Sequence, residues 1–333
     1  MILCFWRFLF IVHFLVITGW AHNITERSTN CPWKSDYLEL RSLCICAYNL
    51  KKELSVQCEK VNFLQLAEAL GKYFQNKQID LLFVNNSSIT ELRGNLFSHL
   101  QINNIQFNDC DIASIHESSF IEQTSLKHLN LHNNQLKDVP TNSLKHLEKL
   151  DLLDLSKNRL KVINDDAFAM CKKLFTLKLN ENDITIKANA FRGLDNLRNL
   201  NLRNTKQKMI PESLQNLKNL NFVDLSQNSI RELPSSHRPH IFDGLKSLTA
   251  LNLERNLIHT IKKNAFFNIR NSLTSLSLLN NLIDEFPVES LRYLKDLKVL
   301  DIGFNLLTEI PVNAFQHNPR EFSSNLKEYI NIL

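Results

Sequence analysis

Glycine is scarce, with six residues in a chain of 333. That argues against loops that cradle phosphate through backbone N–H groups, and neither a G-x-G-x-x-G nor a G-x-x-x-x-G-K-[ST] run is present. A block of like charge is missing as well. The 39 Lys and Arg are interspersed with 34 Asp and Glu, and the net charge of +5 is spread without a basic patch to neutralise phosphates, so nucleic acid is not an expected partner. Long apolar runs are confined to one place, Met1 to Trp20, broken only by Arg7, His13 and Thr18 and followed by Ala21. Residues 1–21 read as a signal peptide cleaved after Gly19-Trp20-Ala21; the alternative is an uncleaved anchor with Arg7 on its cytoplasmic side. No second apolar run of about 18 residues follows. The C-terminal end carries Arg320, Glu321, Lys327 and Glu328, so no spanning helix, lipid-anchor tail or other membrane tether is visible. The expected compartment is extracellular.

What the chain has in abundance is repetition. The template L-x-x-L-x-L-x-x-N-x-L begins at Ile79, Ile102, Leu126, Leu150, Leu174, Leu197, Leu220, Leu248, Leu273 and Leu297, at intervals of 23 to 28 residues. Alternation around the fourth and sixth positions, as in Leu153-Asp154-Leu155, marks a short strand with one buried face. The ninth position is Asn at 134, 158, 182, 228, 256, 281 and 305, with Cys110, Ser87 and Thr205 in the other repeats. A side chain there must satisfy backbone groups where the chain leaves the strand, and Asn both donates and accepts. About eighteen residues after each start comes a bulky apolar residue, Phe97, Phe120, Leu144, Phe168, Phe191, Leu214, Phe242, Phe266, Leu291 and Phe315, which read as a stacked spine. Pro140, Pro211, Pro234, Pro287 and Pro311 fall fourteen residues after their repeat starts, where a fixed φ suits the beginning of a turn or short helix. The expected fold is an α/β leucine-rich-repeat solenoid, a horseshoe of about ten 24-residue repeats with a parallel concave sheet. It divides into a cysteine-rich N-terminal cap over 22–70, repeats over 71–318 and an off-pattern tail over 319–333.

A solenoid must seal its ends. Cys31, Cys44, Cys46 and Cys58 precede the first repeat, and in an exported chain two disulfides are the natural inference; a zinc site is the alternative. Cys110 and Cys171 read as buried free thiols. Sequons stand at Asn23, Asn85 and Asn86, the last two overlapping. Beyond Phe315 the tail either caps the core itself or leads into a continuation, since Tyr329 to Leu333 looks like the start of another strand.

Cys31-Pro32, Cys44-x-Cys46 and Val56-Gln57-Cys58, followed by the repeats, resemble the animal extracellular leucine-rich-repeat proteins of the chaoptin, Slit and Toll-ectodomain type. That resemblance implies pairing of Cys31 with Cys46 and of Cys44 with Cys58. Asn204 to Lys208 and Ile302 to Asn305 are similar to the arthropod group that includes the non-catalytic subunit of Oplophorus luciferin monooxygenase, which implies a secreted accessory protein without catalysis of its own.

No Ser, Cys or acidic residue combines a partner with a recognisable catalytic motif, so the chain is not expected to be an enzyme or to hold a small-molecule cofactor. His128 and His132 on a strand lie roughly 13 Å apart, too far for one metal. His237 to His240 fall in the insertion of the 28-residue repeat and should form a loop. The working surface is expected to be the solvent face of the strands, with Asp154 beside Lys178, Lys157 beside Glu181, and Arg203 and Phe222 close by. The expected function is recognition of an extracellular protein through Asp154, Lys178, Glu181, Arg203 and Phe222. Membership of a secreted complex as an accessory subunit is the alternative, and an enzyme component the remote one.

Overall fold

The computed structural model describes residues 31–33, 37–75, 77–233 and 242–314. The signal-peptide segment, Asn23, Pro234, the His237–His240 loop, Phe315 and the tail lie outside the described residues.

The ten template starts become ten parallel strands of one 12-stranded sheet. A cap hairpin leads it, β1 (Cys44–Tyr48) antiparallel to β2 (Leu54–Glu59), and β2 then pairs in parallel with the first repeat strand. The repeat strands are β3 (Gln78–Asn85), β4 (Gln101–Asn108), β5 (His128–Asn130), β6 (Leu152–Asp154), β7 (Thr176–Lys178), β8 (Asn199–Asn201), β9 (Phe222–Asp224), β10 (Ala250–Asn252), β11 (Ser275–Ser277) and β12 (Val299–Asp301). Each neighbours the next in sequence. The fourth position sets the register: Leu129, Leu153, Leu177, Leu200, Val223, Leu251, Leu276 and Leu300 stand opposite one another from strand to strand. All eight are buried. A slip of one residue would turn this whole row to solvent, at roughly 1.5–3 kcal/mol for each side chain.

The Asn ladder closes each rung. Asn158 Nδ2 donates to the carbonyls of Leu131 in the preceding repeat (2.9 Å) and of Leu155 (3.1 Å) and Ser156 (3.2 Å) in its own, while Oδ1 accepts from Leu136 N–H (3.0 Å). Asn134, Asn182, Asn228, Asn256, Asn281 and Asn305 repeat the pattern. Cys110 fills its rung as a weaker donor, Sγ to Val84 O (3.4 Å) and Asn108 O (3.1 Å), and burial pushes its thiol up to about 11. Cys171 is likewise a free, buried thiol.

On the other side of the core the spine rings stack, Phe97 on Phe120 (6.0 Å between centroids), Phe168 on Phe191 (6.4 Å) and Phe242 on Phe266 (6.3 Å). Pro140, Pro211 and Pro287 immediately precede short helical turns at Thr141–Leu144, Glu212–Asn216 and Val288–Leu291.

The N-terminal end is sealed by α1 (Leu38–Leu43), the hairpin and α2 (Phe63–Tyr73), with disulfides Cys31–Cys46 and Cys44–Cys58 as the family resemblance implies. Asn62 caps α2, its side chain accepting from Leu64 N–H (3.1 Å) and Gln65 N–H (3.4 Å). Phe63 starts the spine, edge-on to Phe97 and Phe107. α2 runs through residue 70, where the sequence placed the cap boundary, and the first repeat strand begins at Gln78.

Candidate functional site

Three rows of side chains cross the sheet outside the core. The third-position row includes Leu152, Thr176, Asn199, Phe222 and Ala250, held opposite one another by the pairing of β6 to β10. The fifth-position row includes Asp154, Lys178, Asn201 and Asp224. The eighth-position row forms a rim just past the strand ends.

That rim has a backbone requirement that the residue types show only in part. The eighth residue of all ten repeats, Asn86, Asp109, Asn133, Lys157, Glu181, Asn204, Gln227, Arg255, Asn280 and Phe304, has φ between 49° and 58°. In this conformation its N–H reaches the seventh-position carbonyl of the next repeat, as from Lys157 to Asn180 O (2.9 Å) and Glu181 to Arg203 O (2.9 Å). Asn and Asp tolerate the left-handed region best. Lys157 and Glu181 occupy it at a conformational cost, and such positions are a reason to look for function. The two side chains stand 4.0 Å apart.

The fifth position departs from the expected solvent-facing row. Asp154 is 4% exposed and Asp224 1%. Each carboxylate turns back on its own backbone, Asp154 Oδ1 accepting from Ser156 N–H (3.0 Å) and Asp224 Oδ1 from Ser226 N–H (2.9 Å). Asn130, Asn201 and Asn252 accept in the same way from His132, Arg203 and Glu254. This is an Asx turn that ends these five strands. Asp154 therefore belongs to the framework, and a partner reaches it only through Lys178, whose Nζ lies 3.1 Å from Asp154 Oδ2.

The fold does bring His, Ser and Asp together here. His132 Nδ1 lies 2.8 Å from Ser156 Oγ, and Ser156 Oγ donates to Asp154 Oδ1. The order is wrong for a nucleophile, which needs the imidazole between the hydroxyl and the carboxylate. Ser156 is also 2% exposed. The chain His132–Ser156–Asp154–Lys178 ties three repeats together and is structural. His128 is turned to Asp151, 3.8 Å away, and burial lowers its pKa despite that carboxylate.

Lys178, Glu181, Arg203 and Phe222 are half-buried on consecutive repeats. Phe175, 40% exposed, joins them; its carbonyl accepts from both Arg198 N–H (2.9 Å) and Asn199 N–H (3.0 Å). Its signal in the sequence was the second template position, outside the period-2 alternation that drew attention to the fifth. The face thus mixes aromatic surface with both signs of charge.

Burial raises the pKa of Asp224, and the opposing pull of Ser226 and Arg203 is smaller. A raised folded value means that the folded state holds the proton more tightly than the unfolded one. The contribution to stability is then full below the ordinary 3.8 and is lost as pH rises through the raised value. Asp224→Asn keeps an acceptor for Ser226 and removes the buried charge. It should raise Tm at pH 7 and leave Tm near pH 3 unchanged, read by calorimetry across pH; a lower Tm at pH 7 would contradict this.

Among the described residues no group of three or more His, Cys, Asp or Glu is placed to hold a metal ion, and no helix is long and apolar enough to cross a membrane. A hollow lined by Ile115, Glu117, Val139 and Pro140 to Ser143 encloses about 240 Å³, below the roughly 300–1,000 Å³ usual for small-ligand pockets.

Comparison with known proteins places these features in context. The family described as "Leucine rich repeat" matches residues 101–160, 150–206 and 271–320. Lumican of Homo sapiens is 30% identical over 217 residues, covering 64% of this chain and 60% of lumican. Adenylate cyclase of Schizosaccharomyces pombe is 31% identical over 169 residues, covering 42% of this chain and 10% of that enzyme. Among solved structures, the TLR13–ssRNA13 complex superposes with a TM-score of 0.68 at 28% identity, covering 76% of this chain and 35% of that one. The chain spans less than two thirds of each of these proteins.

Proposed function

We propose that this chain, a leucine-rich-repeat protein of the animal extracellular type, is a secreted binding protein that recognises another extracellular protein through Lys178, Glu181, Arg203, Phe222 and Phe175. The observation that carries the reading is the contrast within one surface. Asp154 and Asp224 are consumed by the framework, whereas Phe175 just before β7, Glu181 and Arg203 in the turns after β7 and β8, and Phe222 on β9 lie on three consecutive repeats. Arg and aromatic anchors surrounded by mixed polar groups are the composition of protein-recognition hot spots. RNA, the ligand in the TLR13 complex, fits less well, because acidic Glu181 shares the face with Arg203. Catalysis is disfavoured by the geometry of the His132–Ser156–Asp154 chain. The match to adenylate cyclase reaches only a tenth of that enzyme.

The test is to recover partners from native extracellular extract on the wild-type chain and on a variant with Ala at Glu181, Arg203 and Phe222. The partner's affinity should fall about tenfold or more in the variant, while Lys263→Ala on the opposite side binds as wild type. Equal affinity for all three would sink the reading.

A second reading is an accessory subunit docked over the last described repeat, where Phe304 and Leu306 are 59% and 58% exposed.

A further inference from the structure

The overlapping sequons Asn85-Asn86-Ser87 and Asn86-Ser87-Ser88 offer two candidate acceptors, and the fold separates them. Asn85 ends β3 in register with Glu59 on one side and Asn108 on the other, rungs about 4.8 Å away. It is half-buried, and its carbonyl accepts from both Lys60 N–H (3.1 Å) and Ser87 Oγ (3.0 Å). A sugar on its side chain would stand out from the sheet face with a neighbouring rung's side chain close on either hand.

Asn86 is different in each respect. It is exposed and sits on the rim in the left-handed conformation (φ 49°) that Asn tolerates. Its N–H is committed to Asn108 O (3.1 Å), while its side-chain amide makes no hydrogen bond among the described residues. Ser88, the hydroxyl of its sequon, is exposed; Ser87, the hydroxyl of the Asn85 sequon, is 2% exposed and accepts from Val61 N–H (3.1 Å). Glycan transfer precedes folding, so the fold acts as a filter on which glycosylated chain becomes native.

We propose that Asn86, and not Asn85, carries an N-linked glycan in the mature protein. The inference rests on the reading of the chain as exported. In the transfer, one Nδ2–H bond of Asn86 is replaced by a bond from Nδ2 to the anomeric carbon of a lipid-pyrophosphate-linked oligosaccharide. The bond from that carbon to the pyrophosphate oxygen breaks, and the lipid pyrophosphate and a proton leave. The glycan then stands on the rim three rungs from Lys157, roughly 15 Å, where it screens the first repeats and leaves β7 to β9 open.

The chain is expressed with its own N-terminal segment in animal cells, and protein from the medium is treated with a peptide-N-glycosidase that converts a glycosylated Asn to Asp. Peptide mass spectrometry then reads each site. Asn86 should be converted in the wild type and in Asn85→Gln, and in Ser88→Ala, which keeps only the Asn85 sequon, the folded secreted protein should have lost the glycan. A glycan on Asn85 in Ser88→Ala, or an unmodified Asn86 in the wild type, would overturn the proposal. If no wild-type chain reaches the medium, the export reading is what fails; residues 22–333 behind an unrelated leader then decide the Asn86 question by the same readout.

Discussion

Replacing Asn158 by Ala is expected to cost about 3–5 kcal/mol of stability, far more than the loss of one polar side chain suggests. Its amide serves three carbonyls and one N–H, spread over two repeats and all in the buried interior. After truncation the Leu136 N–H is left without its acceptor, the carbonyls of Leu131, Leu155 and Ser156 keep only Asn134 Nδ2, Asn182 Nδ2 and the Asn133 N–H, and water has little access, since Leu131, Leu136, Leu155 and Leu160 are 0–2% exposed. The stranded N–H costs roughly 1–3 kcal/mol and each of the three lost bonds roughly 0.5–1.5 kcal/mol. Because stability in a solenoid is passed between neighbours, the damage should split unfolding at the centre of the array. Urea titration followed by circular dichroism measures it. A loss below about 1 kcal/mol would mean that the ladder is ornamental. Cys110→Asn provides the converse: a thiol donating at 3.4 and 3.1 Å gives way to an amide of the kind seen on seven other rungs, and stability should hold or rise.

Loss of the cap disulfides should rank beside it. Cys31–Cys46 and Cys44–Cys58 close loops of 15 and 14 residues, for which the chain-entropy account gives about 3 kcal/mol each. The consequence is larger than the arithmetic because the cap covers apolar surface at the end of the array. Trp33, 2% exposed, packs edge-on against Tyr73 and Phe74, and Phe63 continues the spine to Phe97. Trp33 is the only Trp beyond position 20, so in a chain of residues 22–333 its emission reports on the cap alone. Reduction should red-shift that emission at a lower urea concentration than the one that unfolds the sheet. Simultaneous loss of both signals, with no change in midpoint on reduction, would show that the cap contributes nothing.

The sequence exposes the framework because every repeat solves the same packing problem. The Leu rows, the ladder and the spine each recur at a fixed offset, and each has one physical reason for its residue type. The face was harder to read. Asp154 and Asp224 sit between buried aliphatic residues in a period-2 pattern, which reads as a solvent-facing site, yet the carboxylates bend back into Asx turns; nothing in the alternation distinguishes the two. The left-handed rim is legible at Asn86, Asn133, Asn204 and Asn280 but disguised at Lys157, Glu181 and Phe304, where residue type and conformation disagree. Ser156 is a further example. It carries no motif in the chain, and only folding places it between His132 and Asp154.

Side-chain oxidative footprinting of the chain alone and in complex locates the proposed seat of the partner over β7 to β9. The expected result is that Phe175 and Phe222 become protected while the exposed Met170 and Phe267 of the opposite side remain reactive. Protection of Phe304 and Leu306 with Phe175 and Phe222 unchanged would contradict that seat and move the partner to the last described repeat.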